Sequence, residues 1–242
     1  MRPDANWLRP DWPGVTAFMT TRGLNFGRKA GDAEEVRANR AGLAELLGAR
    51  PVFLDQVHGA DVVRLQSGWN DDNAPRADAA VSTDPDLAVA ILVADCLPVL
   101  FSAPGGVAGA HAGWRGLAAG VLENTVAELC AAAGCEPREV QAWLGACIGP
   151  LAFEVGPDVV AAFGREPVER DQPGFLYRPN PEPRWRADLP LLARERLTSI
   201  NVTQISGGGW CTLTDDSRFF SFRGEALGRP RGRMAACISL GR

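Results

Sequence analysis

Two histidines and one cysteine, each set where an apolar run gives way to Gly or Pro, are the residues of this sequence best suited to chemistry. His58 lies in Leu54-Asp55-Gln56-Val57-His58-Gly59, Cys96 in Ala94-Asp95-Cys96-Leu97-Pro98, and His111 in Ala110-His111-Ala112-Gly113-Trp114-Arg115-Gly116. Two imidazoles and a thiol form a three-donor set, and zinc sites with three protein ligands keep a fourth position for water or substrate. The intervals match no zinc-finger spacing. On spacing alone, a buried free thiol and two hydrogen-bonded imidazoles is the more economical reading.

The arginines near these motifs offer anion binding. Arg115 sits in a Gly-flanked turn ahead of a helix, where free N–H groups favour an oxyanion. Arg22 lies in a Gly-containing loop after a strand and supplies a second fork, since guanidinium matches oxyanions bidentately. Either arginine equally serves as a loop cap. Asp55, Asp61, Asp95 and Glu154 are candidates to orient a histidine or move a proton, or are turn and capping residues. Cys147, on the Gly-rich turn Gly145-Ala146-Cys147-Ile148-Gly149, reads as a nucleophile or, more simply, as a packed small residue.

The elements that must position these groups are legible as short β-type runs and a few helices. Strands are expected at Val15–Met19, Pro51–Val57, Asp61–Leu65, Ala77–Ser82, Leu87–Val93, Val99–Phe101, Val107–Ala110 and Val140–Leu144, with two more near Val202–Ile205 and Met234–Ser239. Leu87–Val93 and Val107–Ala110 lack polar alternation, which predicts strands covered on both faces. Helices are expected from an Asp32 N-cap to Gly48, over Leu117–Ala133, at Pro157–Phe163 and over Leu189–Leu197. The Pro- and charge-rich stretch from Arg165 to Pro190 reads as a long surface loop. The basic stretch from Arg223 to Arg233 reads as a solvated face, because it lacks the interleaved aromatics of a nucleic-acid binder.

Composition sets the outer bounds. The 242 residues carry 25 Lys+Arg against 29 Asp+Glu, a formal net charge of −4, so electrostatics gives no reason to expect nucleic-acid or membrane binding. Lys29 is the single lysine. Residues 1–7 show no apolar leader segment, and the longest apolar run is too short to span a bilayer. The expected compartment is therefore the cytoplasm, where the six cysteines would be thiols or metal ligands. No boundary or repeat divides the chain, and one α+β domain is the economical reading.

Taken in order, Asp55-Gln56-Val57-His58-Gly59, Ala94-Asp95-Cys96-Leu97-Pro98 and Ala110-His111-Ala112-Gly113-Trp114-Arg115-Gly116 resemble the motifs of the YfiH/laccase-domain family. Cys147-Ile148-Gly149-Pro150, Phe153-Glu154-Val155-Gly156, Arg186-Ala187-Asp188-Leu189, Cys211-Thr212, Arg218-Phe219-Phe220-Ser221-Phe222-Arg223 and Gly232-Arg233-Met234-Ala235 continue the match from Thr20 to Ile238. The resemblance implies a single α+β domain over residues 1–242, with mixed β-sheets packed between outer helices, related in fold to a toxin deamidase that uses a Cys–His pair. It implies zinc on His58, Cys96 and His111. It also implies phosphorolysis of adenosine, inosine, guanosine and methylthioadenosine, with adenosine deamination as a companion activity.

On that reading Arg22 and Arg115 hold phosphate for attack on C1′ of a nucleoside, while Asn25, Gln56 and Cys147 complete the substrate-binding set. Cys96, His111, Asp95 and Glu154 form the catalytic set, with Asp95 or Glu154 moving the proton when activated water attacks C6 of adenine. Partners are a nucleoside and phosphate, with no nucleic acid and no membrane; the sequence does not fix the oligomeric state. Rival classes are a Cys/His amidase that edits peptidoglycan precursors and a metal-binding protein without turnover. Weak polyphenol oxidation by copper loaded in vitro is a further alternative. A full multicopper oxidase is excluded by count, because its oxygen-reducing cluster would need roughly eight imidazoles beyond the two present. The chain departs from the family where only Gly23 separates Thr20-Thr21-Arg22 from Leu24-Asn25-Phe26-Gly27, a loop that is usually longer. Leu151-Ala152-Phe153 likewise stands where Cys-Cys-Tyr is frequent.

Overall fold

Val89, Ile91 and Val93 leave one face of a strand and Ala88 and Ala90 leave the other, and all five are buried. A strand covered on both faces needs no polar alternation, and that requirement organises the molecule into layers. The computed structural model describes residues 4–69, 73–179 and 181–241. Met1, Arg2 and Pro3, which open the segment read as lacking a leader, lie outside the described residues, as does Asn180 within 165–190.

In chain order the elements begin with β1 (Val15–Met19), α1 (Ala33–Leu47), β2 (Arg50–Phe53), β3 (Val62–Arg64), β4 (Ala79–Ser82), β5 (Leu87–Val93), β6 (Leu97–Ala103) and β7 (Gly106–Ala112). They continue with α2 (Trp114–Ala118), α3 (Val121–Ala133), a 3₁₀ turn (Pro137–Glu139), β8 (Gln141–Leu144), β9 (Glu154–Val155) and α4 (Pro157–Ala162). The last are β10 (Phe175–Arg178), β11 (Arg184–Ala187), α5 (Leu189–Ser199), β12 (Gln204–Gly207), α6 (Phe222–Glu225) and β13 (Met234–Leu240). One mixed sheet has the order β1-β13-β5-β2 and a second the order β12-β8-β6-β7-β4-β3, while β10-β11-β9 form a small antiparallel sheet.

The two large sheets pack face to face. Val89, Ile91 and Val93 of β5 and Met234, Ala236 and Ile238 of β13 meet Ala80, Leu100, Val107 and Trp143 of the second sheet. Gly109 on β7 lets them approach, since a Cβ there would stand 2.9 Å from Val89 Cγ1. The opposite face of the first sheet carries small residues, Ala88, Ala90, Ala235 and Cys237, under Leu43 and Leu47 of α1. The outer face of the second sheet lies under Val121, Leu122, Val126 and Leu129 of α3 and Leu192 and Leu197 of α5. This is the expected α+β arrangement of mixed sheets between helices.

Helix α1 has the expected ends. Asp32 accepts from the Glu34 and Glu35 amides, and Gly48 closes the helix in the left-handed region. Three expectations need correction. The strand expected over Pro51–Val57 ends at Phe53, and the chain beyond it is loop. The helix expected over Leu117–Ala133 is two helices, because Gly120 at φ +92° turns the chain between α2 and α3. The stretch from Arg165 to Pro190 is not a plain surface loop: β10 and β11 lie within it, and Phe175 and Trp185 are fully buried against α4 and α5. Its hydrophobic positions are few and lie between prolines and charges, so local composition hid the hairpin.

Because Phe175 is a core residue, Phe175→Ala is expected to lower the unfolding free energy by about 3–5 kcal/mol in urea titration. A change under about 0.5 kcal/mol would return the segment to a surface excursion.

Candidate active site

The site lies on the seam between the two large sheets. β5 of the first sheet runs through Ala94, Asp95 and Cys96 straight into β6 of the second, so the cysteine sits at the crossover. His111 is near the end of β7, opposite Pro98 of β6. His58 stands in the loop after β2. Both His58 (φ +64°) and Asp95 (φ +84°) adopt left-handed backbone conformations that non-glycine residues rarely take. Such conformations persist only where surrounding contacts enforce them.

For His58 the enforcing group is Asp78, a fully buried carboxylate just ahead of β4. Its Oδ2 accepts the amides of Val57 (3.1 Å) and Gly59 (2.7 Å), and its Oδ1 accepts that of His58 (2.9 Å). The same Oδ1 lies 2.8 Å from Nδ1 of buried His111. One carboxylate therefore shapes the loop bearing the first histidine and orients the ring of the second, leaving Nε2 of His111 for the cluster. Burial pushes the Asp78 carboxyl up, but His111 and the amide donors outweigh it and hold it below the usual value.

Donor atoms of His58, Cys96 and His111 all lie within 4.8 Å of one another, with Cys96 Sγ 3.7 Å from His58 Nε2. The two rings meet edge to face at 4.8 Å. Gly113 gives the thiol room, since a Cβ there would be 3.0 Å from Sγ. Burial alone would raise the Cys96 thiol, yet the charge of His111 and hydrogen bonds from both histidines bring it down to about 6. Burial would lower His111, but Cys96 and Asp78 carry it up to about 9. Without a cation both shifts favour the charged forms, thiolate and imidazolium. The donor set suits a soft divalent cation: a ready thiolate, two imidazoles, and a carboxylate fixing the tautomer of one of them. The same carboxylate–imidazole–thiol order is also that of a nucleophilic triad.

These groups open into a pocket of about 820 Å³. Among the described residues its wall includes seven basic side chains, Arg28, Lys29, Arg40, Arg115, Arg223, Arg231 and Arg233, against two acids, Asp55 and Asp95. A protein of net charge −4 thus concentrates cations in one cleft, which raises the local concentration of anions. The stretch from Arg223 to Arg233 is therefore not simply a solvated face, as Arg223, Arg231 and Arg233 all line this cleft. Its backbone is turned inward by a distant contact: the Arg233 amide donates to Asn25 Oδ1 at 2.9 Å.

Of the other expected site residues, Arg115 lines the pocket with its guanidinium 4.4 Å from the centre of the Trp114 ring. Gln56 also lines it, but its amide pairs with both the N–H and the C=O of Leu92. Asp95 is buried there and accepts from Thr212 Oγ1 (2.6 Å), Ser221 Oγ (3.0 Å) and the Arg223 amide (2.7 Å), so it anchors the turn before Cys96. Arg22 does not line the pocket; its guanidinium donates to the Asp216 carbonyl. Asn25 is buried behind the pocket wall and ties Gly27, Ala30 and Arg233 together. Cys147 is fully buried, and burial pushes its thiol well above the ordinary value, which suits packing rather than nucleophilic attack. Glu154 points to solvent off the pocket wall, and only its carbonyl takes part, accepting from Arg223 at 2.9 Å. Asp78 was the residue missed. Its signal was a charged residue inside the apolar run Ala77–Val81, where a buried carboxylate must have partners.

A family profile described as multi-copper polyphenol oxidoreductase laccase matches residues 13–241. The chain is 44% identical over 250 residues to a purine nucleoside phosphorylase of Pseudomonas aeruginosa, covering 97% of this chain and 98% of that protein. It is 43% identical over 249 residues to purine nucleoside phosphorylase YfiH of Escherichia coli, with 96% and 97% covered. Two crystal structures share the fold. A Neisseria meningitidis protein has TM-score 0.84 at 37% identity, covering 98% of this chain and all of that one. YlmD from Geobacillus stearothermophilus has TM-score 0.87 at 29% identity, covering 100% and 98%.

Asp78→Asn is expected to weaken retention of a divalent cation at the cluster about 10–100-fold, measured by competition with a chromophoric chelator. In metal-free protein, Cys96 is expected to react with iodoacetamide at a rate already near its plateau at pH 7. That rate should fall about ten-fold per pH unit below 6, while Cys147 stays unlabelled by peptide mass analysis. A Cys96 rate still climbing through pH 8.5 would contradict the thiolate–imidazolium pair.

Proposed function

The chain belongs to the multi-copper polyphenol oxidoreductase laccase family, and from that premise we propose that it is a zinc-dependent purine nucleoside phosphorylase with adenosine deamination as a side activity. The observation that carries the reading is one pocket that joins the His58–Cys96–His111 donors to an arginine wall, in a chain more than 40% identical to proteins named purine nucleoside phosphorylase. Two histidines serve one metal site, so the copper-cluster chemistry in the family's description is not part of the proposal.

His58, Cys96 and His111 would hold the zinc, which when bound supplies a Lewis acid with an open coordination position. Arg115 and Arg223 hold inorganic phosphate; Arg223, not Arg22, is the second fork, because it lines the pocket and Arg22 does not. A phosphate oxygen forms a bond to C1′ as the bond from C1′ to the purine nitrogen breaks. The electron pair stays on the purine, which takes up a proton, and the products are the free base and ribose 1-phosphate. Fixing the anion beside C1′ supplies positioning, and the guanidinium charges stabilise a phosphate held away from bulk water. Asp78 acts one step back by holding the His111 ring and the His58 loop.

A second reading, a Cys/His hydrolase such as a peptidoglycan-precursor amidase, is favoured by the Asp78–His111–Cys96 alignment and the lowered Cys96 thiol. Chelation separates the two, since a thiolate nucleophile needs no cation.

Purified protein is expected to convert inosine to hypoxanthine and ribose 1-phosphate only when phosphate is present. Activity should be lost on chelation, restored by zinc and absent in Cys96→Ala. Arg223→Ala is expected to raise KM for phosphate about ten-fold or more. Phosphate-independent turnover, or full activity in Cys96→Ala, would overturn the proposal.

A further inference from the structure

Among the described residues four aromatic side chains line the pocket, and each has a guanidinium over its ring. Arg40 sits 3.8 Å from the centre of the Phe53 ring, Arg115 4.4 Å from that of Trp114, and Arg223 5.1 Å from that of Phe153. Phe53 and Phe153 are also buried. Phe222 differs. It is 61% exposed although it lies on the pocket wall, with the Arg233 guanidinium over its ring at 5.7 Å.

An exposed phenyl ring usually belongs to a mobile side chain on a loose segment, but the backbone around Phe222 is fixed from both sides. Ser221 caps α6, accepting from the Gly224 amide at 3.0 Å, and donates to Asp95 Oδ2. The Arg223 amide donates to the same oxygen at 2.7 Å. Asp95 is the residue before Cys96, so the ring is tied through one carboxylate to the donor cluster. The result is a largely exposed phenyl ring on the pocket wall, at a set position relative to the reacting end and next to phosphate-binding Arg223.

We infer that Phe222 is the platform on which the purine ring of the substrate stacks. This rests on the phosphorylase reading and deepens it. Every purine has a π-face, so stacking tolerates changes at the ring edge. A site that holds its base this way accepts adenosine, inosine and guanosine alike, and leaves the edge substituents to other contacts.

The test uses full-length, metal-loaded protein and two readouts: KM and kcat for inosine and adenosine phosphorolysis, and the Kd for hypoxanthine by isothermal titration calorimetry. Phe222→Ala is expected to raise KM for both nucleosides, and Kd for the base, about ten-fold, with kcat changed much less. Phe222→Leu should behave like the alanine variant, because it keeps apolar bulk without a π-face, and Phe222→Tyr should stay within about two-fold of wild type. Since the side chain is exposed, melting temperatures are expected to be unchanged. Unaltered affinity in Phe222→Ala, full rescue by Leu, or no hypoxanthine binding by wild type would each overturn the inference. Wild-type phosphorolysis with Phe222→Ala unaltered would leave the phosphorylase reading standing and remove stacking alone. Phe222-dependent hypoxanthine binding without any nucleoside turnover would do the reverse.

Discussion

A single buried carboxylate, Asp78, is the constraint on which the rest of the site depends. A charge taken wholly out of water must be met by donors on most of its lone pairs. Here the three amides of residues 57–59 and the His111 ring meet it. Remove any of these donors and the carboxylate becomes costly; remove the carboxylate and three amides and an imidazole lose their acceptor. The left-handed turn at His58 and the orientation of His111 are thus one solution to one solvation problem. That link explains how residues far apart in sequence converge without being packed against each other by large side chains.

The electrostatics of the pocket follow the same economy. Asp95, at the crossover between the sheets, spends its lone pairs on Thr212, Ser221 and Arg223, and Glu225 pairs with Arg231 and Arg233. Asp95 and Glu225 are thus engaged in holding backbone and guanidinium groups in place. Arg231 and Arg233 line the cavity with their counter-charge on Glu225, which does not, so an incoming anion meets guanidinium groups already held in place.

What the sequence revealed of this arrangement depended on how local each cause is. The Asp32 cap, the Gly48 stop and the doubly covered strands are written in a few adjacent residues, and α1, β5 and β7 stand where those signals place them. The three donors were recognisable by residue type, and their convergence needed the motifs together. The split at Gly120 turns on a backbone sign that composition does not carry. The inward turn of residues 223–233 turns on a contact with Asn25, more than two hundred positions away. Arg22 and Cys147 illustrate a related limit of residue type: fitness for chemistry says nothing about which side of a loop a residue occupies. Asp78 was visible as an acid among alanines, and the physical rule that such an acid must have partners was the clue to follow.

The place of the donors on the seam has a mechanical consequence. His58 follows a strand of the first sheet, Cys96 marks the passage between sheets, and His111 belongs to the second. Any ion gripped by all three is therefore a rivet through both layers, and prising the layers apart would have to eject it. With such an ion bound, occupancy would add to cohesion, and the free ion concentration would contribute to how firmly the two sheets hold together. The melting behaviour of such a protein reports on its surroundings as much as on its own packing.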